Sequence, residues 1–387
     1  MQNFLVISFS DLNYDARVSR QVQWLKELGT VTVICFSPNT NITNVDYCII
    51  EQIQLNLIRK SLLALLLLLK LYKLAYTTQH GYYPKLRSFK AQQFDWIIAN
   101  DVESLPLAFR LNNGAKVFFD AHEYAPRHFE DKLWWKVLFA PWYKFLCKKY
   151  IAQTSAMTTV SKGLANEYFI NFGIKPFLIP NATKYFNLEP SKVLKPIKLI
   201  HHGIINKSRK IETMIEVAQK LGTDYTLDLI LMLPEYASKQ TSEYFQSLKT
   251  KVKEIENVNI LAPMTNDKIV PYINKYDIGI FLLEPVNFNY TYALPNKLFD
   301  FIQARLAIAI GPSLEMRQYV LEYDLGIVSK SFDAIDLAEE IKKFSASDIQ
   351  NFKDNSHKVA MDLSEEGTKK IFSSIIANNG HTQENKE

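Results

Sequence analysis

Asp277-Ile-Gly-Ile-Phe-Leu-Leu283, then a loop of Pro, Asn and Tyr, then Ala293-Leu-Pro-Asn-Lys-Leu-Phe-Asp-Phe-Ile302 is the stretch on which the fold turns. The first seven residues form a short, almost wholly apolar run, as expected of a strand buried on both faces of a parallel sheet. The last ten read as a helix opening at Pro295 or Asn296, because Pro suits the first helical turn and Asn is a good cap. A strand that feeds a helix through a loop aims the helix N-terminus at the crevice beside the strand ends, where free N–H groups can bind a phosphate. Lys297 would add a positive charge there. Spacing alone is equally consistent with an ordinary capped helix and a solvated lysine.

The same alternation extends through the chain. Strands are expected over 4–9, 31–36, 95–99, 116–120 and 157–160 in the first half, and over 197–202, 227–233, 258–261, 277–283, 307–311 and 326–328 in the second. Helical patterns separate them, which is the signature of an α/β fold with parallel, doubly wound sheets. The first helix illustrates the pattern: Val18, Val22 and Leu25 recur at i, i+4 and i+7, Asp11 and Asp15 stand at its entrance, and Gly29 stands where a stop would be. With 387 residues the chain is long enough for two cores. A boundary is expected near Leu178-Ile-Pro-Asn181, which gives domains over 1–180 and 181–377 and a polar, disordered tail over 378–387. The last helix could pack back on the first domain.

Composition narrows the function. No G-x-G-x-x-G and no G-x-x-x-x-G-K-[ST] occurs, so the dinucleotide fingerprint and the P-loop are both missing. Three scattered cysteines (Cys35, Cys48, Cys147) suit neither a disulfide framework nor a zinc site, and a reducing compartment fits. His201 and His202 read as packing residues rather than a metal pair, and no metal or other cofactor is expected. The opening residues read as a strand rather than a secretory leader.

The net charge of +5 is uneven: residues 1–180 carry 20 Lys and Arg against 13 acids, and residues 181–387 carry 25 against 27. Seven positive residues and no acid occupy 52–94, and five lysines and no acid occupy 132–149. Both stretches are rich in Leu, Trp, Tyr or Phe, which suits an anionic membrane surface better than nucleic acid. Taken as one helix, 57–74 places Arg59, Lys70 and Lys73 on one stripe, interrupted by Leu63 and Leu66. Its uncharged part, Ser61 to Leu69, is far shorter than the roughly 20 residues needed to cross a bilayer. A core helix and an interfacial helix are equally consistent with that pattern.

Leu294-Pro-Asn-Lys-Leu-Phe-Asp300 resembles the P-N-K-L-F-E motif of GT-B glycosyltransferases of family 4. Further segments fall in that family's order: Asp15-Ala-Arg-Val18, Asn100-Asp101, Asp120-Ala-His-Glu123, Thr159-Val-Ser161, Ile179-Pro-Asn181, and His202-Gly203 followed by Arg209. The resemblance covers about residues 1–330. It implies two Rossmann-like domains facing a central cleft, the first on the acceptor side and the second binding a nucleotide diphosphate-sugar. It also implies retention of anomeric configuration. The resemblance breaks at Tyr292, where the family has the first Glu of an E-x₇-E pair, and at Ile204, often an arginine.

Carried over, Arg209 and Lys297 would meet the donor diphosphate, with Gly203, Pro295 and Asn296 lining it through the main chain. Asp300 would accept hydrogen bonds from the ribose hydroxyls, and His122 would approach the reacting sugar as the catalytic residue. Asp15, Arg17, Asp101 and Glu123 are acceptor-side candidates; read by themselves, Asp101 and Glu103 suit helix capping, and Asp15 and Arg17 a local ion pair. The expected activity is hexosyl transfer from a nucleotide sugar to a glycan or lipid-linked acceptor, without a metal, in cell-surface polysaccharide synthesis. It would take place at the cytoplasmic face of the membrane, docked through 57–74 and 132–149. A sugar-nucleotide epimerase of the same fold and an inactive sugar-nucleotide-binding scaffold are the alternatives.

Overall fold

The computed structural model describes residues 1–234, 237–378 and 380. The expected disordered tail, apart from Asn378 and Gly380, lies outside the described residues. The chain divides into two compact units, one of Met1–Pro180, Asn287–Asn289 and the residues from Lys369 onward, the other of Asn181–Val286 and Tyr290–Thr368.

Unit 1 is built on a parallel sheet of β1 (Gln2–Ile7), β2 (Gly29–Cys35), β3 (Asp46–Ile49), β4 (Trp96–Asn100), β5 (Lys116–Ala121), β6 (Ala156–Thr159) and β7 (Phe177–Leu178). The order is β3-β2-β1-β4-β5-β6-β7, so the winding reverses between β1 and β4. Phe4 to Ile7 and Trp96 to Ala99 are buried throughout, as apolar runs covered by helices on both faces must be. The edge strands β3 and β7 have no expected counterpart. Asp46 and Tyr47 break any apolar run, and β7 has two residues, so register with a neighbour rather than side-chain pattern makes them strands.

The helices of this unit are α1 (Ala16–Lys26), α2 (Leu57–Leu68), α3 (Tyr72–Gln79), α4 (Tyr83–Leu86), α5 (Leu105–Leu111), α6 (Leu133–Tyr150) and α7 (Lys162–Phe172). Asp15 caps α1, its carboxylate accepting from the Val18 N–H at 3.0 Å. Gly29 is no helix stop: it opens β2, and a Cβ there would lie 1.8 Å from the Gln2 carbonyl oxygen, so only glycine lets the two strands meet. The expected single helix over 57–74 is two. Lys70 takes φ +57, and the Leu71 N–H bonds back to the Leu66 carbonyl at 2.8 Å, closing α2 as a Schellman motif does. The basic stripe drawn across 57–74 therefore does not exist.

Unit 2 carries β8 (Ile197–Ile204), β9 (Tyr225–Met232), β10 (Val258–Leu261), β11 (Ile278–Phe281), β12 (Ala307–Ile310) and β13 (Gly326–Val328), all parallel in the order β10-β9-β8-β11-β12-β13. Reversal falls between β8 and β11, the switch point at which doubly wound sheets leave a crevice. The remaining helices are α8 (Ile211–Leu221), α9 (Lys239–Lys253), α10 (Asn266–Ile273), α11 (Phe288–Thr291), α12 (Asn296–Gln303), α13 (Met316–Glu322), α14 (Ala334–Lys342), α15 (Ala346–Val359) and α16 (Glu365–Ala377). Gly279 sits in β11 because the Phe301 ring of α12 occupies its Cβ position, 2.4 Å away. Phe372, Ile375 and Ile376 join the core of unit 1, Phe372 lying 5.5 Å from Trp24 and 5.2 Å from Phe118 between ring centroids.

Candidate functional site

In unit 2 the C-terminal end of β8 brings His201, His202 and Gly203 to the switch point beside β11. Gly203 has φ +151, and a Cβ on it would stand 3.1 Å from the Lys297 Nζ and 3.6 Å from an Arg209 guanidinium nitrogen. Glycine thus leaves room for two cations that the chain holds close together. Lys297, second residue of α12, is buried with its Nζ 4.0 Å over the Phe281 ring. Burial and the neighbouring Arg209 push its pKa well below the ordinary lysine range, against the pull of Asp300. Arg209 follows β8 in a short 3-10 turn and reaches the Ile204 carbonyl at 3.3 Å.

Asp300, one turn beyond Lys297, accepts from the Thr183 hydroxyl at 2.6 Å, and its other oxygen lies 3.5 Å from His202 Nε2. Burial and Lys297 hold the His202 imidazole well below its usual pKa, so it is neutral at pH 7. Pro295 caps α12, in the place expected for Asn296, and offers no side-chain bond to the first-turn N–H groups. Asn296 is the first helical residue. His201 is buried, with Nδ1 3.0 Å from the Ile280 carbonyl oxygen, and among the described residues no three His, Cys, Asp or Glu side chains converge as metal ligands would. The site can hold an anion between Arg209, Lys297 and the start of α12.

Unit 1 presents a second cluster at the ends of β4 and β5. Asp120 is buried and receives Arg17 through Nε at 2.8 Å and Nη2 at 2.6 Å, and the Thr158 hydroxyl at 2.7 Å. Burial works against its charge, yet the guanidinium and His122 keep its carboxyl far below the usual range. Arg17 is therefore tied to Asp120 and to the Ile179 carbonyl (2.8 Å), not to Asp15, and the expected local ion pair does not form. His122 stands between Asp101 (3.3 Å to Nδ1) and Asp120 (3.5 Å to Nε2). Burial opposes its protonation, but the two carboxylates override that and raise it to about 9.

Asp101 has φ +60 and turns its carboxylate to His122 rather than capping α5, and Glu103 accepts from the Tyr143 hydroxyl at 2.5 Å. The capping expected of both residues is not found. Glu123 pairs with His128 at 3.1 Å, and Asp15 also accepts from the Ser10 hydroxyl at 2.8 Å. A pocket of about 230 Å³ opens at the switch point between β1 and β4, walled by Phe9, Phe36, His80 and Tyr82 and edged by Asp101 and Glu103. Neither its aromatic wall nor Thr183 carries a motif, since their neighbours at the site lie far off in sequence.

No protein-family model and no curated protein matches this sequence. Among solved structures the chain is similar to a sucrose-phosphate synthase from Thermosynechococcus elongatus, at 13% identity and TM-score 0.75 over 98% of this chain and 99% of that one. It is similar to HepE from Anabaena, solved in complex with UDP and glucose, at 12% identity and TM-score 0.67 over 97% and 100%. A UDP-forming α,α-trehalose-phosphate synthase from Burkholderia vietnamiensis matches at 9% and 0.66 over 98% and 99%. Likeness over nearly the full length of each, together with two parallel doubly wound sheets, establishes that this chain has the GT-B fold.

Proposed function

We propose that this chain is a GT-B glycosyltransferase of the family 4 type, moving a hexose from a UDP-sugar or related nucleotide diphosphate-sugar to a glycan or lipid-linked acceptor. The observation that carries the reading is the pair of cations at the unit 2 switch point, Arg209 and buried Lys297, packed over Gly203. HepE, of the same fold, was solved with UDP and glucose bound, which supports a nucleotide-sugar donor here.

Breaking a sugar–phosphate bond leaves a nucleoside diphosphate with added negative charge, so stabilisation must be placed at the leaving group. Arg209, Lys297 and the N-terminus of α12 supply it, with the Asn296 N–H at the main-chain contact and Pro295, which has no N–H, setting the start of the helix. Burial and Arg209 disfavour the charge on Lys297, and an arriving diphosphate opposes both by favouring the charged amine. Asp300, oriented by Thr183, takes the ribose hydroxyls. In unit 1, His122, kept cationic by Asp101 and Asp120, is the catalytic candidate, and Arg17 acts through Asp120 as a positioning residue. Glu123 and Asp15 remain acceptor-side candidates. This reading includes retention at the anomeric carbon, turnover without a metal, a role in cell-surface polysaccharide synthesis, and a peripheral place at the inner face of the membrane.

The test is calorimetric binding of UDP and transfer from UDP-hexoses. Arg209→Ala and Lys297→Ala should each lower kcat/KM by about 10- to 100-fold, the worth of one charge-assisted contact. Turnover should survive EDTA. Variants within about twofold of the parent would overturn the diphosphate assignment, and loss of turnover in EDTA would overturn the metal-free mechanism.

A further inference from the structure

The α2 helix is apolar around most of its circumference, yet only one side of it is used. Leu63, Leu66 and Leu67 pack inward, whereas Leu57 and Ile58 are 82% and 78% exposed and Leu62, Leu65, Leu68 and Leu69 are 46–59% exposed. A helix that merely covered a core would carry polar residues on that outer side. The neighbouring α6 repeats the pattern at its start, where Leu133, Trp134 and Val137 are exposed while Trp135, Trp142 and Tyr143 fill the core. Of Trp134, Trp135, Trp142 and Tyr143 in the stretch expected at a membrane, the last three are therefore packing residues and Trp134 faces outward.

We propose that the outer face of α2, with the first turns of α6, docks unit 1 on an anionic lipid bilayer. Charge selects the occupant. Arg59 and Lys60 at the start of α2, Lys70 just past its end and Lys73 in α3 are exposed, as are Lys132 and Lys136 beside Trp134, and no acid lies between Glu51 and Asp95. A second copy of the chain would bring the same cations face to face, at an electrostatic cost. A negatively charged headgroup layer accepts the cations, takes the leucines below it, and holds Trp134 at its level. Among the described residues no helix is long and apolar enough to cross a membrane, and α2, at about 1.5 Å per residue, is suited to lie in the interface. The inference rests on the membrane-linked acceptor proposed above, but its test uses no sugar nucleotide, so either can fail alone.

Co-sedimentation of the full chain with vesicles of phosphatidylcholine mixed with phosphatidylglycerol decides it. Most of the protein should pellet at low salt, several-fold less at about 1 M salt, where the Debye length falls to about 3 Å, and little with phosphatidylcholine alone. Combined Leu62→Gln, Leu65→Gln and Leu68→Gln changes, at exposed positions, should abolish pelleting, and Lys60→Gln, Lys70→Gln and Lys73→Gln should reduce it several-fold with an unchanged melting temperature. Protein that stays in the supernatant at low salt overturns the proposal. So does pelleting that ignores lipid charge and salt, or a dimer in sedimentation velocity that the leucine variant converts to monomer while vesicles bind nothing.

Discussion

At the scale of single residues, half-buried His122 and buried Lys297 carry opposite pKa shifts, and each shift is an experiment. His122 is raised to about 9 against its own burial, because Asp101 and Asp120 flank it. Its NMR titration should have a midpoint near 9, and Asp101→Asn should lower that midpoint by at least about one unit; a midpoint near 6.5 in the parent would dissolve the cluster. The stability it contributes is complete below the unfolded value near 6.5 and is lost as pH rises through about 9. Lys297 shifts the other way. An arriving diphosphate favours the charged amine, so UDP binding should become coupled to proton uptake at the pH where the unliganded lysine titrates, visible as a dependence of calorimetric enthalpy on buffer ionisation, and Lys297→Met should remove that dependence. Asp300→Asn should raise donor KM with the fold intact, while His122→Ala should lower kcat and leave donor KM within about twofold. The reverse pattern would exchange their roles.

At the scale of elements, the first β-α-β unit shows how a local signal and a distant neighbour share the work. Asp15 was recognisable as an entrance residue because a short carboxylate before an apolar period satisfies an orphan N–H, and Asp15→Ala should cost about 1 kcal/mol in chemical denaturation. Gly29 carried the same kind of signal and means something else. A glycine after a helix reads as a left-handed stop, but here the constraint is the Gln2 carbonyl across the sheet. Gly29→Ala should destabilise by about 3 kcal/mol, since one of two strands must move; a loss under about 1 kcal/mol would show that β1 yields easily. Lys70 taught the converse. Nothing in its side chain marks a left-handed position, so periodicity alone ran α2 and α3 together.

At the scale of the molecule, unit 1 is not contiguous in sequence. Phe372, Ile375 and Ile376 are buried among its core residues, although they follow the whole of unit 2 in the chain. Truncation after Thr368 should uncover Trp24 and Phe118 and lower the stability of unit 1 by several kcal/mol, at about 25 cal/mol per Å² of apolar surface returned to water. Native-state hydrogen exchange should show β1, β4 and β5 losing protection first. Equal protection in the truncated chain would mean that these residues cover the core without supporting it.

The sequence by itself determined the class of fold, because parallel strands buried on both faces must be short apolar runs and their crossover helices must be periodic. Local pattern put Lys297 at the start of a helix, and the resemblance to a family's motifs, not periodicity, picked out Gly203, Arg209, Asp300 and His122 as its companions. Tertiary structure alone decided what those residues touch. Arg17 has Asp15 as its near neighbour in the chain and Asp120 as its partner in space, 103 positions away. Thr183 reaches Asp300 over 117 positions. The leucines of α2 have one chemistry in the sequence and two environments in the molecule, because only packing chooses which side of an all-apolar helix meets the core.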